Sequence, residues 1–533
     1  MRLAELRLGL LVAMVSPLAA QSTRPERTGF RETSSYLDVL GFVDSLQMRS
    51  SELRIGTLGT SAEGRRIPYV VAARPGVMTP AEAHRSGKPV IYLQANIHAG
   101  EVEGKEAAQM LLRDLTVGAL GGVLDKIILL VVPIYNIDGN ERWGPGERNR
   151  PGQNGPATVG HNTSGQGLNL NRDYVKLEAA ETQGSVPLLQ AWDPDLFIDL
   201  HTTNGSYHGY VLTYAPGLNP NTNPAVDFMR DRFLPEVRRR VQQRHGQRTF
   251  SYGNFRSQHP DSLVQGWETY DARPRFGTNW MGLRGRPSIL SEGYSNADFQ
   301  TRITATYNFV REILELAGEQ GRALKSVIAA SDRWRPDSVV IRSTLAAPTT
   351  QAVIAEITED TGAGSDGYAR RRRTGVYRSI RMPVYERFAA ARKEARPAGY
   401  LLPSRLKDLV ELVRRQGIAV EVTTRPRQTR VQVFTIAGLT VDSLFEGHRP
   451  VRLEGQWRPQ PIDSMVPAGW FLVRTDQPLG TLAAYLLEPA SEDGVVTWNL
   501  LDRELGVGSA YPILRVDAAV APTSLAPMMG GTP

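Results

Sequence analysis

Apolar positions change their period several times along the chain. From Tyr36 to Met48 they recur at helical spacing (Tyr36, Val39, Leu40, Phe42, Val43, Leu46), which predicts an amphipathic helix. Glu52 to Ala73 predicts a pair of strands around the turn Gly59-Thr60-Ser61-Ala62-Glu63-Gly64. Pro89 to Ala95 predicts a strand. A helix over about Val102 to Leu115 follows, burying Ala107, Ala108, Leu111, Leu112 and Leu115. Lys126 to Tyr135 is a nearly continuous apolar run, as expected of a strand covered on both faces. Leu196 to Leu200 and Ser288 to Leu290 predict shorter strands, with helical patterns between them such as Val226 to Val241. Ile303 to Ala317 predicts a closing helix. Strands alternating with helices predict an α/β fold with a mixed, mostly parallel central sheet and helices on both faces.

Beyond about Arg335 the texture changes. Asp337–Arg342, Ala352–Ile357, Ile418–Val422 and Thr429–Phe434 predict strands, with one helix at about Leu406 to Arg415. From Leu439 onward glycine, proline and alternating residues dominate. The expected organisation is a catalytic domain over 21–335, an accessory α/β segment over 336–438, a small β-rich domain over 439–520 and a disordered tail over 521–533. Before all of these, Arg2 and Arg7 precede the apolar stretch Leu8 to Met14, and Pro17-Leu18-Ala19-Ala20 ends in small residues. This reads as a signal peptide over 1–20, so the mature protein is expected to be secreted or periplasmic. No stretch approaches the ~20 apolar residues of a membrane span.

Composition narrows the chemistry. There is no cysteine, which excludes disulfides, thiolate metal sites and a cysteine nucleophile. Any metal must be held by carboxylates and the eight histidines. The net charge of +7 comes almost entirely from arginine and is diffuse. The one dense run, Arg370 to Arg373, reads as a solvated loop rather than a nucleic-acid patch.

Four strand ends run straight into chemically capable residues: Asn96-Ile97-His98-Ala99-Gly100-Glu101, Tyr135-Asn136-Ile137-Asp138-Gly139-Asn140, Asp199-Leu200-His201-Thr202-Thr203 and Ser291-Glu292-Gly293-Tyr294. In open α/β sheets the ligand crevice lies outside the carboxyl ends of the strands, so His98, Glu101, His201 and Glu292 should converge there. Two histidines and one carboxylate leave a catalytic zinc an open coordination position. Glu292, closing a further strand, is then a candidate general base. Between the second and third ends lies a long polar loop, Trp143 to Gly167, leading to Gly167-Leu168-Asn169-Leu170-Asn171-Arg172-Asp173. Asn171 and Arg172 can clamp a substrate carboxylate, because the guanidinium fork binds it bidentately. Arg148 or Arg150 can face a developing oxyanion.

Together and in this order, the residues resemble the carboxypeptidase A-like zinc metallocarboxypeptidases over about Thr33 to Ala317. The resemblance rests on Glu63-Gly64-Arg65, His98-Ala99-Gly100-Glu101 and Asn136-Ile137-Asp138-Gly139. It rests equally on Leu168-Asn169-Leu170-Asn171-Arg172, Glu178-Ala179-Ala180-Glu181-Thr182, His201-Thr202 and Glu292. It implies one zinc ion per chain on His98, Glu101 and His201, with Glu292 as general base and acid. It implies a peptide substrate whose free C-terminal carboxylate meets Asn171 and Arg172, and Arg150, preferred over Arg148, polarising the scissile carbonyl. The family's capping tyrosine has no clear motif here. Tyr270 stands at a suitable distance before Glu292, and Tyr252 and Arg275 compete for the place. Two rival readings remain: a zinc amidohydrolase of the same fold acting on acyl-amino acids or peptidoglycan peptides, and an inactive member that binds peptide or polysaccharide.

Overall fold

Eight strands form the central sheet: β1 (Leu53–Thr60), β2 (Arg66–Ala73), β3 (Val90–Ala95), β4 (Ile128–Val132), β5 (Leu196–Thr202), β6 (Leu212–Ala215), β7 (Thr249–Ser251) and β8 (Ser288–Gly293). Their spatial order is β1-β2-β4-β3-β5-β8-β6-β7. The four middle strands β4, β3, β5 and β8 run parallel. Antiparallel pairs join β1 to β2, β2 to β4 and β8 to β6. The sheet is therefore mixed with a parallel centre, as the alternation of strand and helix patterns requires. Every residue of β3, β4 and β5 is buried, which explains the unbroken apolar run of β4 and the apolar starts of β3 and β5. β6 and β7 are short and were not legible in the sequence.

The computed structural model describes residues 22–77, 79–363, 369–517 and 525–528. The expected signal peptide over 1–20 lies outside the described residues, as does most of the expected tail. Within that tail, Leu525–Pro527 pairs as a strand with Glu421–Thr423.

Helices cover the sheet at the predicted places. Tyr36–Gln47 starts at a capping box in which Ser35 and Asp38 exchange hydrogen bonds. Glu103–Thr116 packs against the closing helix Phe299–Glu319. The predicted helix at Val226 to Val241 is three consecutive pieces, with a π-helical turn at Met229–Phe233 between Pro224–Phe228 and Leu234–His245. No helix among the described residues is long and apolar enough to cross a membrane.

One expectation is overturned. The arginine run forms part of a long strand, Ala369–Tyr385, paired with Thr349–Ala363. Acidic residues on the facing strand stabilise this arrangement: Arg372 pairs with Glu359, and Arg373 Nε donates to Glu356 Oε2 at 2.8 Å. Opposite charges directly across a ladder favour strand over loop, and the sequence reading weighed only one side of that pair.

The C-terminal part contains a seven-stranded sheet whose strands come from both sides of the expected boundary at 438/439. It also carries a buried apolar helix, Gly480–Leu487, that the glycine- and proline-rich texture concealed. This part is bonded to the catalytic part through buried polar groups. Gln416 Nε2 donates to the carbonyls of Tyr174 and Val175 at 2.8 and 3.0 Å, and Trp280 Nε1 donates to Gln416 Oε1 at 2.8 Å. Arg275 pairs with the buried Asp493 at 2.7 Å.

Candidate metal centre and active site

The chain leaves β3 through Asn96, which has a positive φ of 63°. Asparagine tolerates this left-handed conformation better than most residues. Its side chain fixes the turn that follows, with Nδ2 donating to the carbonyls of Ala99 (3.3 Å) and Glu101 (3.0 Å). Glu101 N donates to His98 O at 2.9 Å, closing a tight turn that aims both side chains the same way. His201 arrives from β5, the neighbour of β3 in the sheet.

The ligand atoms of His98, Glu101 and His201 all lie within 4.8 Å of one another. His98 Nδ1 is 3.1 Å from Glu101 Oε1, and His201 Nδ1 is 3.0 Å from Glu101 Oε2. The opposite ring nitrogens face oxygens: His98 Nε2 lies 3.1 Å from Asn169 Oδ1, and His201 Nε2 lies 3.1 Å from Asp199 Oδ2. When Nε2 carries the proton toward these oxygens, each Nδ1 presents a lone pair to the carboxylate. Two such lone pairs and a carboxylate converging on one point form a set of acceptors that fits a divalent cation of the zinc kind. The electrostatics agree. Burial alone would raise Glu101, but His98, Arg150 and His201 hold its carboxyl well below the usual range. Burial alone would lower His201, but Asp199 and Glu101 raise it well above its ordinary value. The site favours positive charge.

Glu292 sits on β8 as the register partner of His201. It is buried, and its Oε2 has no hydrogen-bond partner among the described residues. Burial, reinforced by the charges of Glu101 and Asp199, pushes it up to about 8. A nearby positive charge lowers a carboxyl's pKa, so a cation on the three ligands favours its ionised form.

The turn Leu170–Arg172 builds the neighbouring wall of the cleft. Asn171 Oδ1 accepts from Gly277 N at 3.1 Å, and its Nδ2 lies 3.4 Å from His201 Nε2. Arg172 stacks on the Phe276 ring, 4.0 Å from its centroid, and donates to the Asn171 carbonyl at 2.7 Å. It forms no ion pair with any described carboxylate. Its neighbours differ: Arg273 pairs with Asp271, and Arg275 with Asp493. The cleft of about 400 Å³ thus holds the three candidate ligands, Glu292 and the Arg172 guanidinium, which has no carboxylate partner among the described residues, with Tyr252, Tyr270 and Leu290 along its wall.

Of the two loop arginines, the structure brings Arg150 to the centre. Arg150 Nη2 is 3.2 Å from Glu101 Oε1 and donates to the carbonyls of Thr202 and Thr203 at 2.7 and 3.0 Å, and Nη1 bonds Asn204. Arg148 bonds its neighbour Asn149, at 3.3 Å, and no other side chain among the described residues. The Tyr270 hydroxyl is committed to Thr278 Oγ1 (2.8 Å) and Asn279 Oδ1 (3.3 Å). Tyr252 lies beside Glu292, whose charge adds to burial in raising the Tyr252 hydroxyl.

Three contributors escaped the sequence reading. Asp199 had a signal: it lies two residues before His201, hence on the same face of the strand. Asn169 sat unassigned inside the quoted motif. Phe445, from the C-terminal part, also lines the cleft and carries no local signal.

Residues 39–270 match the family model described as zinc carboxypeptidase. This segment, somewhat under half of the chain, resembles a zinc carboxypeptidase domain, and the match supports a metallopeptidase hydrolase. Glu292 lies beyond the matched span, yet its strand is bonded directly to the one bearing His201. The chain is similar to a carboxypeptidase 2 of Trichophyton tonsurans, 24% identical over 475 residues (86% of this chain, 81% of the relative). A carboxypeptidase 2 of Trichophyton rubrum is 23% identical over 498 residues (89% and 85%). Among solved structures, a metallo-carboxypeptidase from Pseudomonas aeruginosa superimposes with a TM-score of 0.40 at 17% identity, covering 55% of this chain and 70% of its own.

Proposed function

We propose that the protein is an exported, zinc-dependent carboxypeptidase that releases the C-terminal amino acid from peptides. The observation that carries this reading is Arg172, a largely enclosed guanidinium without a carboxylate partner in the same cleft as the three metal-ligand residues and Glu292. An unpaired guanidinium fork is costly to enclose and fits a carboxylate bidentately, which the free terminus of a peptide supplies.

His98, Glu101 and His201 would hold one zinc ion per chain. Bound there, zinc supplies Lewis acidity that polarises the scissile carbonyl and acidifies the attacking water. The remaining work falls to the chain. Asn171 and Arg172 fix the terminal carboxylate and so place the last peptide bond at the centre. Glu292 accepts the proton of the attacking water and passes it to the leaving nitrogen. Arg150 keeps Glu101 ionised and in place. For the oxyanion role implied by the family pattern it keeps a spare donor, since Arg150 Nε has no hydrogen-bond partner among the described residues while Nη1 and Nη2 hold Asn204 and the Thr202 and Thr203 carbonyls. Tyr252, Tyr270, Phe276 and Leu290 make the wall largely apolar, and the two nearby arginines are neutralised. Such a wall suits a bulky apolar C-terminal side chain.

The free oxygen of Glu292 argues against an inactive binding protein. The direct test compares an N-blocked dipeptide as free acid with the same dipeptide as C-terminal amide. The reading expects turnover of the acid and little of the amide. Equal turnover would exclude a carboxypeptidase.

A further inference from the structure

The hairpin formed by Phe434–Val441 and Val451–Trp457 lies outside the family-matched residues, and the connection between its strands reaches the cleft. At its tip Phe445 and His448 exchange backbone hydrogen bonds of 2.7 and 3.0 Å, closing a two-residue turn over Glu446 and Gly447. Both central residues have positive φ, 50° and 78°. Glycine adopts this freely, whereas Glu446 does so against the steric resistance of its Cβ. A non-glycine residue persists in this region only where its surroundings hold it, and such residues cluster at functional sites.

The surroundings here belong to the catalytic part. Glu446 Oε2 accepts from Asn169 N at 3.3 Å, and the Glu446 carbonyl accepts from Lys176 Nζ at 3.4 Å. His448 Nε2 lies 2.9 Å from Glu178 Oε1. Asn169 is the residue that faces His98 Nε2, and its Oδ1 also accepts from Asn171 N at 3.1 Å. Glu446 therefore grips the turn that carries Asn171 and Arg172. Phe445 lines the cleft with Arg172 and Phe276, and the Arg275 guanidinium lies 5.3 Å over its ring.

We infer that the C-terminal hairpin completes the active site: Phe445 is a substrate contact, and Glu446 is a positioning residue that holds the Asn169–Arg172 turn for carboxylate binding. This rests on the reading of Arg172 as the receptor of the peptide's terminal carboxylate. The family-matched segment alone lacks one wall of its own cleft, so peptide affinity depends on residues some 270 positions downstream of that turn.

The test uses the zinc-loaded full chain carrying Glu292→Gln, which allows binding to be read without turnover. Calorimetry gives Kd for an N-blocked dipeptide acid ending in phenylalanine, before and after Phe445→Ala, Glu446→Gly and Glu446→Gln. The first two variants should each weaken binding by about fivefold to tenfold, the scale of one lost contact or hydrogen bond. Glu446→Gly should nevertheless melt at or above the parent temperature, because glycine relieves the positive φ. Glu446→Gln keeps an acceptor for Asn169 N and should bind within about twofold of the parent. Parent-like binding by both Phe445→Ala and Glu446→Gly would reduce the turn to a structural element and overturn the inference alone. A Gln variant as weak as the Gly variant would overturn the hydrogen-bond role of Glu446. A parent that binds no free-acid peptide would overturn this inference together with the carboxypeptidase reading.

Discussion

Glu292 and His201 are register partners on adjacent parallel strands, so a buried carboxyl, one oxygen of which has no hydrogen-bond partner among the described residues, stands beside a candidate metal-ligand imidazole. Backbone pairing in the middle of a sheet fixes that relationship more firmly than a loop could. Replacing Glu292 by Gln keeps the shape and removes the base. The variant should retain its metal and bind peptide while kcat falls by roughly a hundredfold to ten-thousandfold. Turnover per metal-loaded molecule checks this, with a thermal melt alongside. A variant that melts lower but turns over normally would make Glu292 structural.

His98→Ala and His201→Ala should each abolish stoichiometric metal. A three-residue donor set cannot spare a member when its remaining position serves the reaction. Metal analysis of the dialysed proteins measures this. Wild type should hold about one zinc per chain, the number that a single closed ligand cluster accommodates. Unchanged zinc in the double variant would mean that the ion sits elsewhere.

Arg172→Ala should raise KM for free-acid peptides by about tenfold to a hundredfold, the range for a lost charge-assisted hydrogen bond. Its effect on kcat should be smaller, since the terminal carboxylate does not react. Lysine should rescue poorly, because a point charge replaces neither the planar fork nor its stacking on Phe276. A parallel fall in kcat and kcat/KM would instead place Arg172 at the reacting bond.

Glu181 gives a prediction about stability. It is fully buried, neither carboxylate oxygen has a partner among the described residues, and burial, with Asp138 and Asp173 nearby, raises it to about 7. Because the folded protein holds this proton more tightly than the unfolded chain does, ionisation costs stability as pH rises from about 4.5 to 7. Glu181→Gln should flatten that loss, worth about 1–3 kcal/mol by proton linkage. Melting temperatures at pH 5 and pH 8 read it out: the variant should gain on wild type at pH 8 relative to pH 5. An equal difference at both values would show that Glu181 stays ionised in the fold.

The candidate metal ligands were legible because they lie at or just beyond strand ends, which are marked by a switch from apolar to polar residues. Ala95 to His98 and Leu200 to His201 show that switch plainly. Asn171 and Arg172 were legible as a motif, although not their surroundings. Arg150 separated from Arg148 only in three dimensions, where the backbone between them delivers one side chain to Glu101 and leaves the other with Asn149. The strands Leu212–Ala215 and Thr249–Ser251 are too short to show a period. The Arg371–Arg373 strand depended on carboxylates facing it across the hairpin, and Phe445 on a tertiary approach between distant segments. Local patterning carries no information about contacts of that kind.

The central claim is that a metal held by His98, Glu101 and His201 serves the removal of C-terminal amino acids. Its most direct measurement is the amino acid released from an N-blocked dipeptide acid by the purified protein. The assay is run on the protein as isolated, after chelation, and after restoring one equivalent of zinc. The account predicts release that is lost on chelation, returns with zinc, and never returns in the His98→Ala protein. Undiminished release from the chelated protein, or zinc-restored release from His98→Ala, would contradict it.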